Sequence, residues 1–172
     1  MPRDPALSPR PDAETRLAEA AGHRDELRLW LRLLTCTHLI ESAVRSRLRA
    51  RFGVTLPRFD LMAQLEKSPE GLTLGDLSRR MMVSNGNITG LVERLVESGH
   101  IERLPNPADR RVAYVRLTEA GHLAFAEMAA EHAGWIGELY AGVPAERQAA
   151  LLRLLGELKE AVRAAVAEGE GP

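Results

Sequence analysis

Residues Leu72 to Leu95 read LTLGDLSRRMMVSNGNITGLVERL, and the predicted fold follows from the pattern in this segment. Thr73 followed three residues later by Asp76 is the pattern of a capping box, which predicts a short helix ending near Met81. Ser84 is suited to cap a second helix. The predicted buried face of that helix consists of Ile88, Leu91, Val92 and Leu95. Two short helices joined by a tight turn form a helix-turn-helix.

Downstream of this motif the apolar period changes from helical to alternating. Gly99 stands where a helix commonly ends in a left-handed residue. His100 to Leu104 and Val112 to Leu117 are predicted strands, separated by a loop that reads PNPADRR. The sequence therefore predicts a β-hairpin whose tip is bounded by prolines and charged.

Longer helices are predicted on both sides of this central part. Their expected ranges are Arg24 to Arg51, Pro57 to Lys67, Glu119 to Tyr140 after a Thr118 cap, and a last helix from Pro144 to Ala167. The last helix carries an apolar seam made of Leu151, Leu155, Leu158 and Val162. A seam of this kind needs a helix to pack against, either the first helix of the same chain or that of a second copy.

Composition bounds the class of protein. The chain has 172 residues, of which 45% are hydrophobic and 27% charged, as in a soluble globular domain. It has no apolar run long enough to span a membrane, and its start lacks the apolar core of a signal peptide, so we expect a cytoplasmic protein without a membrane partner. The net charge of −1 means that any contact with DNA must be local.

The second short helix offers a polar outer face. A short helix fits the major groove of DNA, where amide side chains form hydrogen bonds with base edges. The N-terminus of a helix also favours a phosphate. The candidate DNA-binding residues on this helix are Ser84, Asn85, Asn87, Thr89 and Arg94. In the alternative interpretation Ser84 only caps the helix, and Asn85, Gly86 and Asn87 only shape the turn. Asn87 and Thr89 have no evident local role, which favours DNA contact.

The hairpin tip supplies Asp109, Arg110 and Arg111. Adjacent exposed arginines are often no more than a solvated pair. A proline-bounded tip is different, because Asp109 can orient one guanidinium without cancelling its attraction to an A·T-rich minor groove. We therefore expect the tip to contact double-stranded DNA.

These motifs resemble the multiple-antibiotic-resistance regulator (MarR) family. The resemblance covers about Leu27 to Val162, and its most specific marks are the acid and arginines of the hairpin tip and the LTEAG run that follows the second strand. It implies a homodimeric winged helix-turn-helix repressor, dimerised through its N- and C-terminal helices. By position, Arg111 is the implied minor-groove arginine and Asp109 the acid that orients it.

The resemblance also implies a domain organisation. Residues 23–53 and 119–168 correspond to a helical dimerisation region, and residues 54–118 to the winged helix-turn-helix DNA-binding lobe. Separately, the prolines near the start of the chain predict a mobile Pro-rich arm over residues 1–22. The expected fold class is mainly α with a small β-hairpin wing.

The family further implies a pocket for a small-molecule effector, often an aromatic acid or another phenolic compound. The run from Arg58 to Leu95 resembles the branch that controls aromatic-acid catabolism, some members of which respond to acyl-CoA thioesters. An aromatic anion needs a cation and apolar walls. The candidate ligand-binding residues are His38, Arg45, Phe59 and Met62. A core histidine and ordinary packing are the alternative interpretation.

The single cysteine, Cys36, raises a rival hypothesis. One branch of the family senses oxidants through a cysteine on the first helix, which would make this chain a thiol-based repressor. Cys36 lies in an apolar helix without a neighbouring Lys or Arg in the sequence, so we predict a buried, inert thiol.

Two other classes fit less well. The sequence contains no nucleophile elbow, no phosphate-binding glycine loop after a strand and no histidine pair at metal-ligand spacing, so we expect no catalytic site, no cofactor and no bound metal. A helical adaptor that binds only protein would explain the apolar seam. It would leave the arginine-rich hairpin tip unexplained.

Overall fold

A computed structural model describes residues 24–105 and 113–169. The helices are α1 (Arg24–Phe52), α2 (Leu56–Glu66), α3 (Leu74–Met81), α4 (Asn85–Glu97), α5 (Glu119–Tyr140) and α6 (Ala145–Gly169). The strands are β1 (Leu72–Thr73), β2 (Ile101–Pro105) and β3 (Ala113–Leu117). The described part of the chain is therefore mainly α with one small sheet, which confirms the predicted fold class.

The sheet is antiparallel with strand order β1-β3-β2. In the hairpin, Ile101 pairs with Leu117 and Pro105 with Ala113. The predicted hairpin is confirmed, although Pro105, which was expected in the loop, belongs to β2. β1 adds Leu72 opposite Val115. The hairpin tip with Asp109, Arg110 and Arg111, and the predicted Pro-rich arm at 1–22, lie outside the described residues.

Apolar side chains from the C-terminal half of α1, from α2, α3 and α4, and from the sheet make one core. Its most deeply buried members include Leu48, Leu61, Met62, Leu65, Leu77, Ile88, Val92 and Val115. Ile88, Val92 and Leu95 are buried and Leu91 is half-buried, which confirms the predicted inner face of α4. Burial of that face leaves the opposite side of α4 to solvent.

A compact junction joins α4, the hairpin and the start of α5. Gly99 takes a left-handed φ of 73° directly after α4, and its carbonyl accepts a hydrogen bond from Thr118 Oγ1 at 2.7 Å. The same Thr118 oxygen accepts from Gly121 N at 3.0 Å, which confirms the predicted cap of α5. A Cβ on Gly121 would lie 1.9 Å from the carbonyl oxygen of His100, so this close approach requires glycine.

The chain divides into two compact units, one ending at Phe125 and the other beginning at Ala126. In the second unit, α6 leaves Leu151 46%, Leu155 44% and Val162 52% exposed, while Leu158 is half-buried. In the first unit, α1 exposes Leu29, Trp30 and Leu39. Across the described ranges, no helix is both long and apolar enough to cross a bilayer.

Candidate nucleic-acid interface

The helix-turn-helix begins with the predicted capping box. Thr73 Oγ1 accepts from Asp76 N at 3.1 Å, and the Asp76 carboxylate accepts from Thr73 N at 3.3 Å and from the Thr73 hydroxyl at 2.6 Å. The Thr73 hydroxyl bond and the nearby Arg79 guanidinium lower the pKa of Asp76 below its ordinary value. The start of α3 is thus fixed by local bonds.

The turn between α3 and α4 is held by Ser78. Its hydroxyl donates to the carbonyl of Val83 at 2.6 Å, and Val83 N donates to the Ser78 carbonyl at 3.2 Å. Between them, Met82 adopts a left-handed conformation with φ 54° and ψ 40°. Sequence reasoning did not single out Met82, because nothing in residue type marks a methionine for this conformation.

The N-terminus of α4 is capped by Ser84, whose side chain accepts from Asn87 N at 3.5 Å. The capping role weighed for Ser84 is therefore confirmed, and its side chain remains exposed. Asn85, Asn87 and Arg94 are also exposed. These side chains form the polar face of α4, defined here as Ser84, Asn85, Asn87, Thr89 and Arg94.

Thr89 differs from its expectation. Its hydroxyl donates to the carbonyl of Asn85 at 3.0 Å, a bond within the helix of the kind that threonine commonly makes one turn back. The premise that Thr89 has no local role is therefore wrong. Its methyl group remains the part suited to an apolar contact.

An ion pair between the two strands stabilises the stem of the hairpin. Glu102 and Arg116 stand opposite each other in the register of β2 and β3, and Arg116 Nε donates to Glu102 Oε1 at 2.7 Å. Cross-strand pairs of opposite charge stabilise a two-stranded ribbon. The stem follows α4 through the junction, so the chain leads from the polar face of α4 into the hairpin.

The four candidate ligand-binding residues lie in two environments. Phe59 and Met62 are 6% and 1% exposed within the core, and the Phe59 ring lies 5.5 Å from that of Phe125. His38 and Arg45 are exposed on α1, so the alternative interpretation of His38 as a core histidine is wrong. Arg45 pairs with Glu41 at 3.7 Å.

One titrating group lies near this pair of charges. Burial raises the pKa of Asp60 on α2, and the carboxylate of Glu41 on α1 raises it further. The α1 and α2 surfaces therefore present both an arginine and a carboxyl whose protonation is shifted.

Cys36 is exposed on α1, so its predicted burial is wrong. The surrounding apolar sequence does not bury it, because the buried side chains of α1 are Val44 and Leu48, in the helix's C-terminal half. Exposure alone does not make a thiol reactive.

Comparison with known proteins agrees with this architecture. Residues 52–112 match a family model described as the MarR family. BadR, a transcriptional activatory protein of Rhodopseudomonas palustris, is 33% identical over 106 residues, which span 59% of this chain and 60% of BadR.

Two solved structures share the fold. A MarR family transcriptional regulator from Silicibacter pomeroyi is 30% identical with a TM-score of 0.71, and the match covers 83% of this chain and 98% of that one. FabT of Streptococcus pneumoniae, solved in complex with DNA, is 24% identical with a TM-score of 0.67, over 80% of this chain and 97% of FabT. The match to nearly the whole of the Silicibacter regulator agrees with the capped helix pair and the hairpin that follows it. This chain therefore belongs to the MarR family.

Proposed function

We propose that this protein is a DNA-binding transcriptional regulator whose α4 enters the major groove of a duplex. The observation that carries the proposal is the polar face of α4. Its side chains are exposed or half-exposed, while Ile88, Val92 and Leu95 anchor the other side of the helix in the core. A rigidly seated helix with amide and hydroxyl groups outward is suited to base-edge and phosphate contacts.

The hairpin supplies the second contact. Its braced stem leads to a tip where Arg110 and Arg111 are expected to reach the neighbouring minor groove, with Asp109 orienting Arg111. FabT, which shares the fold, was solved with DNA, so a chain of this shape is able to dock on a duplex.

The functional unit is proposed to be a homodimer on a pseudo-palindromic site. Exposed apolar side chains on α1 and α6 support a second copy as their partner, because helices with an apolar stripe are stable when that stripe is covered. Two copies of α4 would then read half-sites about one helical turn apart.

The proposed mode of regulation is repression released by a small effector. An aromatic acid or its acyl-CoA thioester is the favoured class, with His38 and Arg45 on the exposed surface of α1 as the polar candidates. The apolar candidates, Phe59 and Met62, are buried in the core and would reach an effector only if the core opened. BadR is named as an activator. A reporter assay with and without benzoate therefore has to distinguish activation of transcription from repression. Repression is supported if deleting the gene raises expression of the adjacent promoter.

The decisive test is a gel shift with the full chain. A duplex selected from a random pool should be bound, and Arg111→Ala should weaken binding to A·T-flanked sites and lower the salt slope by about one unit per arginine. Arg153→Ala on α6 is the matched control, because it removes an exposed arginine outside the DNA-binding lobe and on the side of the helix away from Leu151 and Leu155. Unchanged affinity in a folded Arg111→Ala protein would refute the role of the hairpin tip.

A further inference from the structure

Met82 combines two unusual properties. Within residues 24–105 and 113–169 it is the one residue other than glycine with a positive φ, at 54°. Its side chain is 93% exposed. The left-handed region disfavours residues with a Cβ, and glycine or asparagine normally occupies such a position.

The fold itself does not use the Met82 side chain. The turn is held by the backbone of Met82, whose N–H bonds to the Arg79 carbonyl at 3.4 Å, and by the Val83 N–H at 3.2 Å from the Ser78 carbonyl. The Ser78 hydroxyl adds its own bond to Val83. A glycine at position 82 could make the same backbone bonds, so packing does not account for the methionine.

The position of Met82 suggests a use. It stands two residues before Ser84, the cap of α4, and therefore borders the end of the polar face that would enter the groove. Methionine is long, unbranched and polarizable, and it adapts to irregular apolar surfaces. A duplex offers such surface at the C5-methyl group of thymine and at the edges of deoxyribose.

We propose that Met82 is a further DNA-contacting residue, which packs its side chain against an apolar edge of the duplex beside the N-terminus of α4. This inference rests on the proposed function. The contact is neutral, so it contributes affinity without changing the number of displaced counterions.

The test compares wild type with Met82→Gly, Met82→Asn and Met82→Leu on a duplex selected by the wild-type protein from a random pool. Glycine and asparagine suit the left-handed turn but lack the apolar side chain. We expect both to keep or raise Tm while affinity falls about tenfold, the loss of a partly buried apolar contact. Met82→Leu should stay within about threefold of wild type, because its side chain is apolar and of similar volume.

The same duplex with uracil in place of thymine separates the two apolar partners. If the wild-type advantage over Met82→Gly disappears on uracil DNA, the contact is to a thymine methyl group. If the advantage persists, the contact is to deoxyribose. In both cases the salt slopes of wild type and variants should coincide.

The inference is overturned if Met82→Gly and Met82→Asn bind as tightly as wild type, or if only Met82→Gly loses affinity, since that pattern reports a loosened turn. A wild-type protein that binds no duplex in the pool would instead refute the proposed function.

Discussion

The backbone and the side chain of Asn87 have different roles. Its N–H is taken by the Ser84 cap, whereas its carboxamide is exposed and suited to bidentate contact with adenine. We expect Asn87→Ala to change the sequence selected from a random pool, with discrimination at one base pair falling by about 1–3 kcal/mol. Tm and salt slope should stay as in wild type, and an unchanged selected sequence would contradict the assignment.

Among single residues, local features could be predicted from the sequence, but burial and some backbone conformations could not. Ser84, Thr118 and Gly99 were predicted correctly, because caps and left-handed helix ends depend on neighbours within a few residues. The exposure of Cys36 was missed, since burial depends on which face of α1 meets the core. The left-handed Met82 and the bond from Thr89 to Asn85 were missed because residue type alone does not reveal the local backbone.

At the scale of the element, the Thr73 and Asp76 box predicts a pH dependence. The pKa of Asp76 is lower in the folded chain than its ordinary 3.8, so the stabilisation is complete above that value and disappears as pH falls through the folded pKa. Asp76→Asn should therefore lower Tm at pH 7, and the difference from wild type should shrink below about pH 4. Thermal melts from pH 7 to pH 3 measure this.

Thr73→Ala is the companion to that experiment. Loss of an N-cap hydroxyl costs about 1 kcal/mol, or about 2–4 °C in Tm for a chain of this size. A Tm deficit in Asp76→Asn that did not change with pH would show that the charge of Asp76 is irrelevant to α3.

The bounds of the helices and strands were more predictable than the way in which these elements pair and pack. Helices α1 to α6 and the hairpin strands lie within a few residues of their predicted bounds, because apolar period and caps are local. The strand β1 was missed, since a pair of residues shows no alternation and is a strand only through its bonds to β3. The proposed effector site draws on residues from both α1 and α2, and no local pattern specifies how two helices pack against each other.

We expect the oligomeric state of the protein to depend on the apolar seam of α6. Leu155→Glu places a charge where Leu151, Leu155 and Val162 are now exposed, and burying that charge between two copies would cost several kcal/mol. We expect this change to convert the proposed dimer into monomers, as measured by light scattering coupled to size exclusion. Ala149→Glu, on the opposite side of α6, should leave the dimer intact. A Leu155→Glu protein that remains dimeric would exclude α6 from the interface.

The junction at Gly99, His100, Thr118 and Gly121 has a mechanical consequence. Because the Thr118 hydroxyl bonds both Gly99 and Gly121, and Gly121 packs closely against the His100 carbonyl, the start of α5 is tied to the residues that link α4 to β2. We therefore expect a tilt at the start of α5 to shift α4 and the stem of the hairpin together. In the proposed complex with DNA, the contacts of these two parts would then be lost together rather than one at a time.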